Sequence, residues 1–259
     1  MEFQDQLGRL LNLKFTPRRI ISLVPSQTEL IVDLGLEDQL VGVTKFCVHP
    51  SNIRKDKTIV GGTKAVKIEK IKALDPDIIL CNKEENTKSM IEELEQYAAV
   101  HVSDIGSFDN ALTLINQYGA IFNQSQKADS LVTAICQKKE QYQLNRKVLN
   151  GSKVAYFMWK NPWMVAAGDT FINSMLFEAG FQNVYITHTR YPEIDLNNPI
   201  LKKADFLLLS TEPYPFKSTD VAELKSIFTD KEIKVVDGEM FSWYGSRLLK
   251  SFEYFSGLF

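Results

Sequence analysis

From Asp109 to Arg146 the sequence carries no proline and no strand signal, whereas the chain on both sides alternates short apolar runs with amphipathic stretches. Leu112, Leu114, Ile115, Tyr118, Ile121 and Phe122 fall on one helical stripe, and Ala128, Leu131, Val132, Ile135 and Cys136 continue it. A helix of this length, kinked near Asn123-Gln124-Ser125, far exceeds the usual run of about 11–12 residues. It divides the chain into an N-terminal lobe (1–106), a linking helix (107–149) and a C-terminal lobe (150–259).

Each flank reads as a parallel α/β sheet. Compact apolar runs at 20–24, 40–43, 58–60, 78–81 and 100–102 alternate with helical patterns, which is the rhythm of βαβ units. Residues 1–18 read as a partly helical lead-in, and Gly35 as the stop of the first helix. In the C-terminal half, runs at 154–158, 206–210 and 233–236 resume the alternation, and a final helix starts near Gly245. The fold class is therefore α/β: two parallel-sheet lobes joined by one long helix, with a ligand cleft expected between them.

The formal charge of −2 excludes a generally basic nucleic-acid binder, although it leaves room for a local basic patch. No apolar run approaches the ~20 residues that span a bilayer. Acids follow Met1 where a secretory leader has a basic region, so the expectation is either a cytoplasmic chain as the sequence stands or a longer precursor. Cys47, Cys81 and Cys136 are odd in number and lack C-x-x-C spacing, which points to reduced thiols. Gly61-Gly62-Thr63-Lys64 is not a P-loop, and no G-x-S-x-G, H-E-x-x-H or Rossmann glycine fingerprint is present.

Ligands of open α/β sheets bind beyond the carboxyl ends of the strands, so the residues after each strand are the candidate site. In the first lobe these include Phe46, Cys47, His49, Lys64 and Glu85; in the second, Trp159, Trp163, Tyr214, Trp243 and Tyr244, with Arg190 of Arg190-Tyr191-Pro192-Glu193 as a cation near the expected cleft. All three tryptophans of the chain are among them, as expected of a cleft that stacks on a bulky or planar ligand. On extended backbone Cys47 and His49 point the same way and form a candidate metal pair, with Glu84, Glu85 or His188 as further donors. The same pair reads alternatively as loop packing, or as a nucleophile with its base.

Arg19-Ile20-Ile21-Ser22-Leu23-Val24-Pro25-Ser26-Gln27-Thr28-Glu29-Leu30, Gly42-Val43-Thr44 and Ile71-Lys72-Ala73-Leu74-Asp75-Pro76-Asp77-Ile78-Ile79 resemble the substrate-binding proteins of cobalamin and iron-siderophore ABC importers, the helical-backbone metal receptors. Ala167-Gly168-Asp169-Thr170-Phe171-Ile172-Asn173 resembles the motif that opens their second lobe's first helix. The resemblance runs from about Arg19 over nearly the whole chain. It implies a non-catalytic, monomeric receptor that needs no cofactor and holds a corrinoid or metal chelate in the interlobe cleft. It also implies docking on an ABC permease through one acid per lobe; Glu69 matches the first, while Asn198 stands where the second belongs. Such receptors are periplasmic or lipid-anchored. A metal-binding protein, Cys/His enzyme or sensor on the same scaffold is the alternative.

Overall fold

The computed structural model describes residues 1–146 and 151–258, so the expected junction of linking helix and second lobe at 149 and 150, and the terminal Phe259, lie outside the described residues. The chain forms two compact units. The first comprises Met1–Ile105, Asp109–Cys136 and Tyr244–Arg247; the second comprises Gly106–Phe108, Gln137–Trp243 and Leu248–Phe259. Among the described residues no helix is long and apolar enough to cross a membrane.

The first unit opens with an antiparallel hairpin, β1 (Glu2–Gln4) and β2 (Leu10–Asn12), where a partly helical lead-in was expected. Asp5 explains the difference. Its Oδ1 accepts the N–H groups of Leu7 and Arg9 at 3.0 and 2.9 Å, closing the turn around Gly8 at φ +78°. Its Oδ2 accepts Val102 N–H, and Arg9 Nη2 donates to Val100 O at 2.8 Å, so a later strand holds the hairpin.

Five parallel strands follow: β3 (Ile20–Ser22), β4 (Leu40–Thr44), β5 (Thr58–Gly61), β6 (Ile78–Asn82) and β7 (Ala99–Ser103), in the spatial order β5-β4-β3-β6-β7. Every residue of β3 and β6 is buried, as central strands with covered faces require. Asp77 accepts the N–H groups of both Arg18 and Arg19, pinning the start of β3 to that of β6. Helices α1 (Pro25–Asp33), α2 (Ile53–Asp56), α3 (Ile68–Ala73) and α4 (Lys88–Leu94) connect the strands. Pro25 starts α1 at the position where a missing N–H costs nothing, and Gly35 at φ +78° ends it.

The long strand-free stretch is two helices, α5 (Phe108–Ile121) and α6 (Ser125–Asn145), broken at the expected kink. Asn123 takes φ +55° there, and Gln124 N–H turns back to Gly119 O at 2.7 Å. A β-carbon on Gly119 would sit 2.5 Å from Ala128 Cβ, so glycine is what lets the two helix ends approach.

In the second unit β8 (Ser152–Trp159) pairs with a two-residue antiparallel strand β9 (Met164–Val165), and β10 (Phe181–Asn183), β11 (Phe206–Ser210) and β12 (Glu232–Val236) complete a sheet ordered β10-β8-β11-β12. Around it run α7 (Phe171–Glu178), α8 (Ser218–Ile227), α9 (Glu239–Ser242) and α10 (Leu248–Ser256). Tyr244–Arg247 belongs to the first unit although the sequence places it inside the expected C-terminal lobe. An ion pair fixes it: Arg247 Nε donates to Glu29 Oε2 of α1 at 2.8 Å, with both side chains buried. Gly245, at φ +86°, lies so close to Leu30 that an added Cβ would be 3.2 Å from Leu30 Cβ.

Candidate functional site

In the first unit the carboxyl ends of β6 and β7 rest on a buried polar network. Gln27 Nε2 of α1 donates to Ser103 Oγ at 2.7 Å, Tyr244 OH at 3.1 Å and Cys81 O at 3.2 Å, and its Oε1 accepts Tyr118 OH at 2.9 Å. Asn82 extends the network outward. Its Nδ2 donates to Ser103 Oγ at 3.0 Å, and its Oδ1 accepts the N–H groups of Glu84 and Glu85 at 2.8 and 3.1 Å. Asn86 accepts Asn82 N–H at 2.8 Å and donates to Thr63 O at 2.8 Å. Two buried asparagines thus set the loop that presents Glu84 and Glu85 and tie it to the loop after β5.

On that scaffold Lys64 lies beside the Glu84-Glu85 loop, and Phe46 packs at Gly62 of the loop after β5. Phe46 is 50% exposed, with Lys45 Nζ 4.9 Å from its ring centre. A β-carbon on Gly62 would be 3.3 Å from Phe46 Cε2, so the glycine gives the ring its seat. Lys64 Nζ bonds Glu84 O. Glu85 is exposed by area, yet neighbouring atoms strip enough water from its carboxyl to push its pKa up; Lys64 counters this and Glu84 reinforces it.

Cys47 does not join this group. The backbone turns after β4, with Cys47 N–H bonded to Thr44 O at 3.2 Å, so the parallel projection expected of extended residues two apart is lost. Its fully buried thiol lies 3.1 Å from Thr28 Oγ1 and 3.3 Å from Thr44 Oγ1, and burial pushes its pKa up. It is a packed thiol, which removes it from the ligand face, from metal binding and from nucleophilic chemistry. His49 is half-buried in the same loop. Among the described residues no three His, Cys, Asp or Glu side chains cluster as a metal centre requires. Tyr244 is corrected too: it is 6% exposed, its hydroxyl lies in the Gln27 network, and burial pushes its pKa up to about 12.

In the second unit Trp159 and Tyr214 form an aromatic pair at the ends of β8 and β11. Trp159 is 38% exposed, its ring centre 5.7 Å from that of Tyr214 in an edge-on arrangement. Trp163 is instead half-buried, stacked on Phe216 at 5.8 Å with Lys160 Nζ 5.1 Å above it. Its remaining edge lines a groove of about 790 Å³ with Pro162, Ile194, Leu196 and Ile227. Trp243 is 8% exposed, and its Nε1–H donates to Glu212 Oε1 at 2.9 Å, so it supports the loop after β11 rather than a stacking surface. Glu212 also accepts Ser242 Oγ at 2.6 Å, and burial pushes its pKa up.

Arg190 is exposed at φ +56°, its N–H bonded to Asp169. The Ala167-Gly168 segment runs beside it: Ala167 N–H reaches Arg190 O at 2.9 Å, and a β-carbon on Gly168 would fall 1.9 Å from Ile186 O. His188 packs edge-on against Tyr185 at 5.4 Å. Glu69 is exposed and paired with Lys72 at 3.0 Å, while Asn198 serves a turn, accepting Ile200 N–H at 3.0 Å.

Gln27, Ser103 and Tyr118 carry this network from outside the loops that follow the strands, whereas Asn82 and Asn86 bound the loop expected after β6. The one legible signal was the pair of asparagines four apart at the two ends of the loop after β6.

Comparison with known proteins agrees with this architecture. The family described as periplasmic binding protein matches residues 20–229. The uncharacterized ABC transporter substrate-binding lipoprotein YvrC of Bacillus subtilis is 26% identical over 260 residues, 96% of this chain and 82% of that protein. The vitamin B12-binding protein of Vibrio campbellii is 27% identical over 198 residues, 74% of this chain and 70% of that protein. Among solved structures, the periplasmic vitamin B12 binding protein BtuF of Vibrio cholerae superposes with a TM-score of 0.76 at 20% identity, covering 94% of this chain and 96% of that one. A periplasmic heme binding protein from Pseudomonas aeruginosa gives 0.80 at 20% identity, covering 94% and 92%. These likenesses show the fold.

Proposed function

This chain belongs to the periplasmic binding protein family, and from that premise we propose that it is the substrate-binding component of an ABC importer whose cargo is a corrinoid or a comparably bulky metal chelate. The relatives named as ABC transporter and vitamin B12-binding proteins support the importer reading. The observation that carries the ligand class is the partly exposed Trp159–Tyr214 pair, which offers a ring face to a macrocycle or aromatic chelate. On the first unit Phe46, seated over Gly62, and the Lys64 and Glu85 side chains are assigned to the cargo. The cargo's metal arrives with the cargo. Cys47, the thiol weighed as a nucleophile, is buried against Thr28 and Thr44 away from that face, which fits binding without catalysis. Docking on a permease through the exposed Glu69 is part of the same proposal.

Tryptophan fluorescence titration with cyanocobalamin, hemin and a ferric catecholate chelate tests the reading. Cyanocobalamin is expected to quench, and the Trp159→Phe variant to lose most of that quench while Trp243→Phe keeps it, because only the former indole borders the assigned face. Trp159→Ala should weaken binding by about 1 kcal/mol, roughly fivefold in Kd, the scale of one aromatic contact. If none of the three compounds binds, the ligand class is wrong.

A further inference from the structure

Between Lys45 and Lys72 the chain carries eight Lys and Arg against two Asp and Glu, leaving 22 cations against 30 acids elsewhere in a protein of net charge −2. This segment is the loop after β4, α2, β5 and α3, and it forms one edge of the first unit's sheet. Cationic side chains bridge its elements. Arg54 Nη1 of α2 donates to Lys45 O at 3.3 Å, and Lys70 Nζ of α3 reaches across β5 to Ile59 O at 3.2 Å. Lys67 runs alongside β5, its N–H bonded to Val60 O at 2.7 Å. Of the segment's two acids, Asp56 accepts Asn52 Nδ2 at 2.5 Å and Glu69 pairs with Lys72 at 3.0 Å, which leaves six net positive charges on the segment.

We propose that this edge is a contact surface for anionic lipid headgroups. Seven of the eight cations are lysines, compact point charges on flexible stems rather than the planar forks that read a defined phosphate or carboxylate. They are spread over three adjacent elements, not gathered into a pocket, which matches a laterally continuous negative charge. An exposed apolar group is interleaved with them: Ile59, at 36%. That mixture suits the headgroup boundary, where lysines meet phosphates and an apolar side chain settles among them. A membrane rather than an acidic protein as the partner rests on the importer reading, since a permease sits in such a surface; the patch itself does not.

Flotation of the full chain with vesicles tests this. Vesicles of equimolar phosphatidylcholine and phosphatidylglycerol should carry the protein at low salt, and pure phosphatidylcholine vesicles should not. Each lysine near an anionic surface contributes about 1 kcal/mol, so the triple variant Lys55→Gln, Lys57→Gln, Lys67→Gln should partition on the order of a hundredfold more weakly. High salt, which shortens the Debye length from about 10 to about 3 Å, should release the wild type. An unchanged melting temperature and unchanged ligand titration in the variant show that fold and cargo site are intact. Equal affinity for both vesicle types, or phosphatidylglycerol binding undiminished in the variant, overturns the proposal. So does binding of soluble polyglutamate with none to vesicles. Cargo binding with no lipid preference leaves the importer reading standing and removes only this one.

Discussion

Replacing Asn82 with alanine tests whether the buried amides hold the first unit's candidate site in place. Asn82 is 3% exposed and makes bonds of two kinds. Its Oδ1 holds the Glu84 and Glu85 N–H groups, which lie near enough to the surface for water to take its place; losing these costs about 0.5–1 kcal/mol together. Its Nδ2 reaches Ser103 Oγ and Ser103 O at 3.0 and 3.3 Å in a buried setting, and a deleted donor there costs about 1 kcal/mol per bond. The sum, about 2–3 kcal/mol, corresponds to a fall in melting temperature of roughly 5–10 °C at about 2–4 °C per kcal/mol for a chain of this size. Ligand affinity should fall further than in Glu85→Gln, because Asn82→Ala frees the whole loop whereas Glu85→Gln changes one side chain. Asn82→Asp separates the two halves, since it keeps the acceptor for the loop and loses the donor to Ser103. Thermal unfolding by circular dichroism and the cobalamin titration read both effects. A shift in melting temperature under about 2 °C, with affinity no worse than that of Glu85→Gln, would refute the supporting role of the network.

Two further outcomes follow from buried charge. Arg247→Met leaves the Glu29 carboxylate in a buried site without the guanidinium at 2.8 Å and should cost about 3–5 kcal/mol, whereas Arg247→Met with Glu29→Leu should regain most of it; additive losses in chemical denaturation would exclude a coupled pair. His101 is fully buried on β7 beside Tyr118, and burial lowers its pKa to about 4 against the raising effect of Asp5. Its folded pKa lies below the unfolded value near 6.5, so the unfolded chain binds the proton first. Stability from the neutral ring is complete above about pH 6.5 and is lost as pH falls toward 4, by up to about 3 kcal/mol. His101→Gln should flatten that segment of the stability–pH curve, and an unchanged slope would assign it to other groups.

The strands of both sheets were readable because a buried parallel strand is apolar on both faces, as at Ile20-Ile21 and Phe206-Leu207-Leu208-Leu209. Elements stabilised from elsewhere were not. The hairpin of β1 and β2 has little apolar alternation of its own; Asp5 and Arg9 fasten it to the edge of β7, more than 90 residues away in sequence. The three-residue strand β10 exposes Gln182 between buried Phe181 and Asn183, too short a pattern to separate from a loop. The break between α5 and α6 was visible in polar residues, but the close approach it needs depends on Gly119 meeting Ala128, a contact between residues nine apart.

The candidate site shows a sharper version of the same limit. A position after a strand identifies the loop that carries a residue, but not which way its side chain turns. Trp243 and Tyr244 are adjacent in sequence and belong to different units, because each has a polar atom that finds a buried partner: the indole N–H on Glu212, the hydroxyl in the Gln27–Ser103 network. Burying an aromatic ring is favourable, and where its polar tip is also satisfied nothing holds it at the surface. Phe46 has no polar atom to satisfy, yet its ring stays half-exposed over Gly62. Cys47, one residue on, turns the opposite way because two threonine hydroxyls receive its thiol. The strand-end aromatics left partly exposed are thus Phe46 and Trp159. On that ground Phe46 and Trp159, rather than the chemically richer Cys47, Trp243 and Tyr244, are the residues on which a cargo's binding energy should depend.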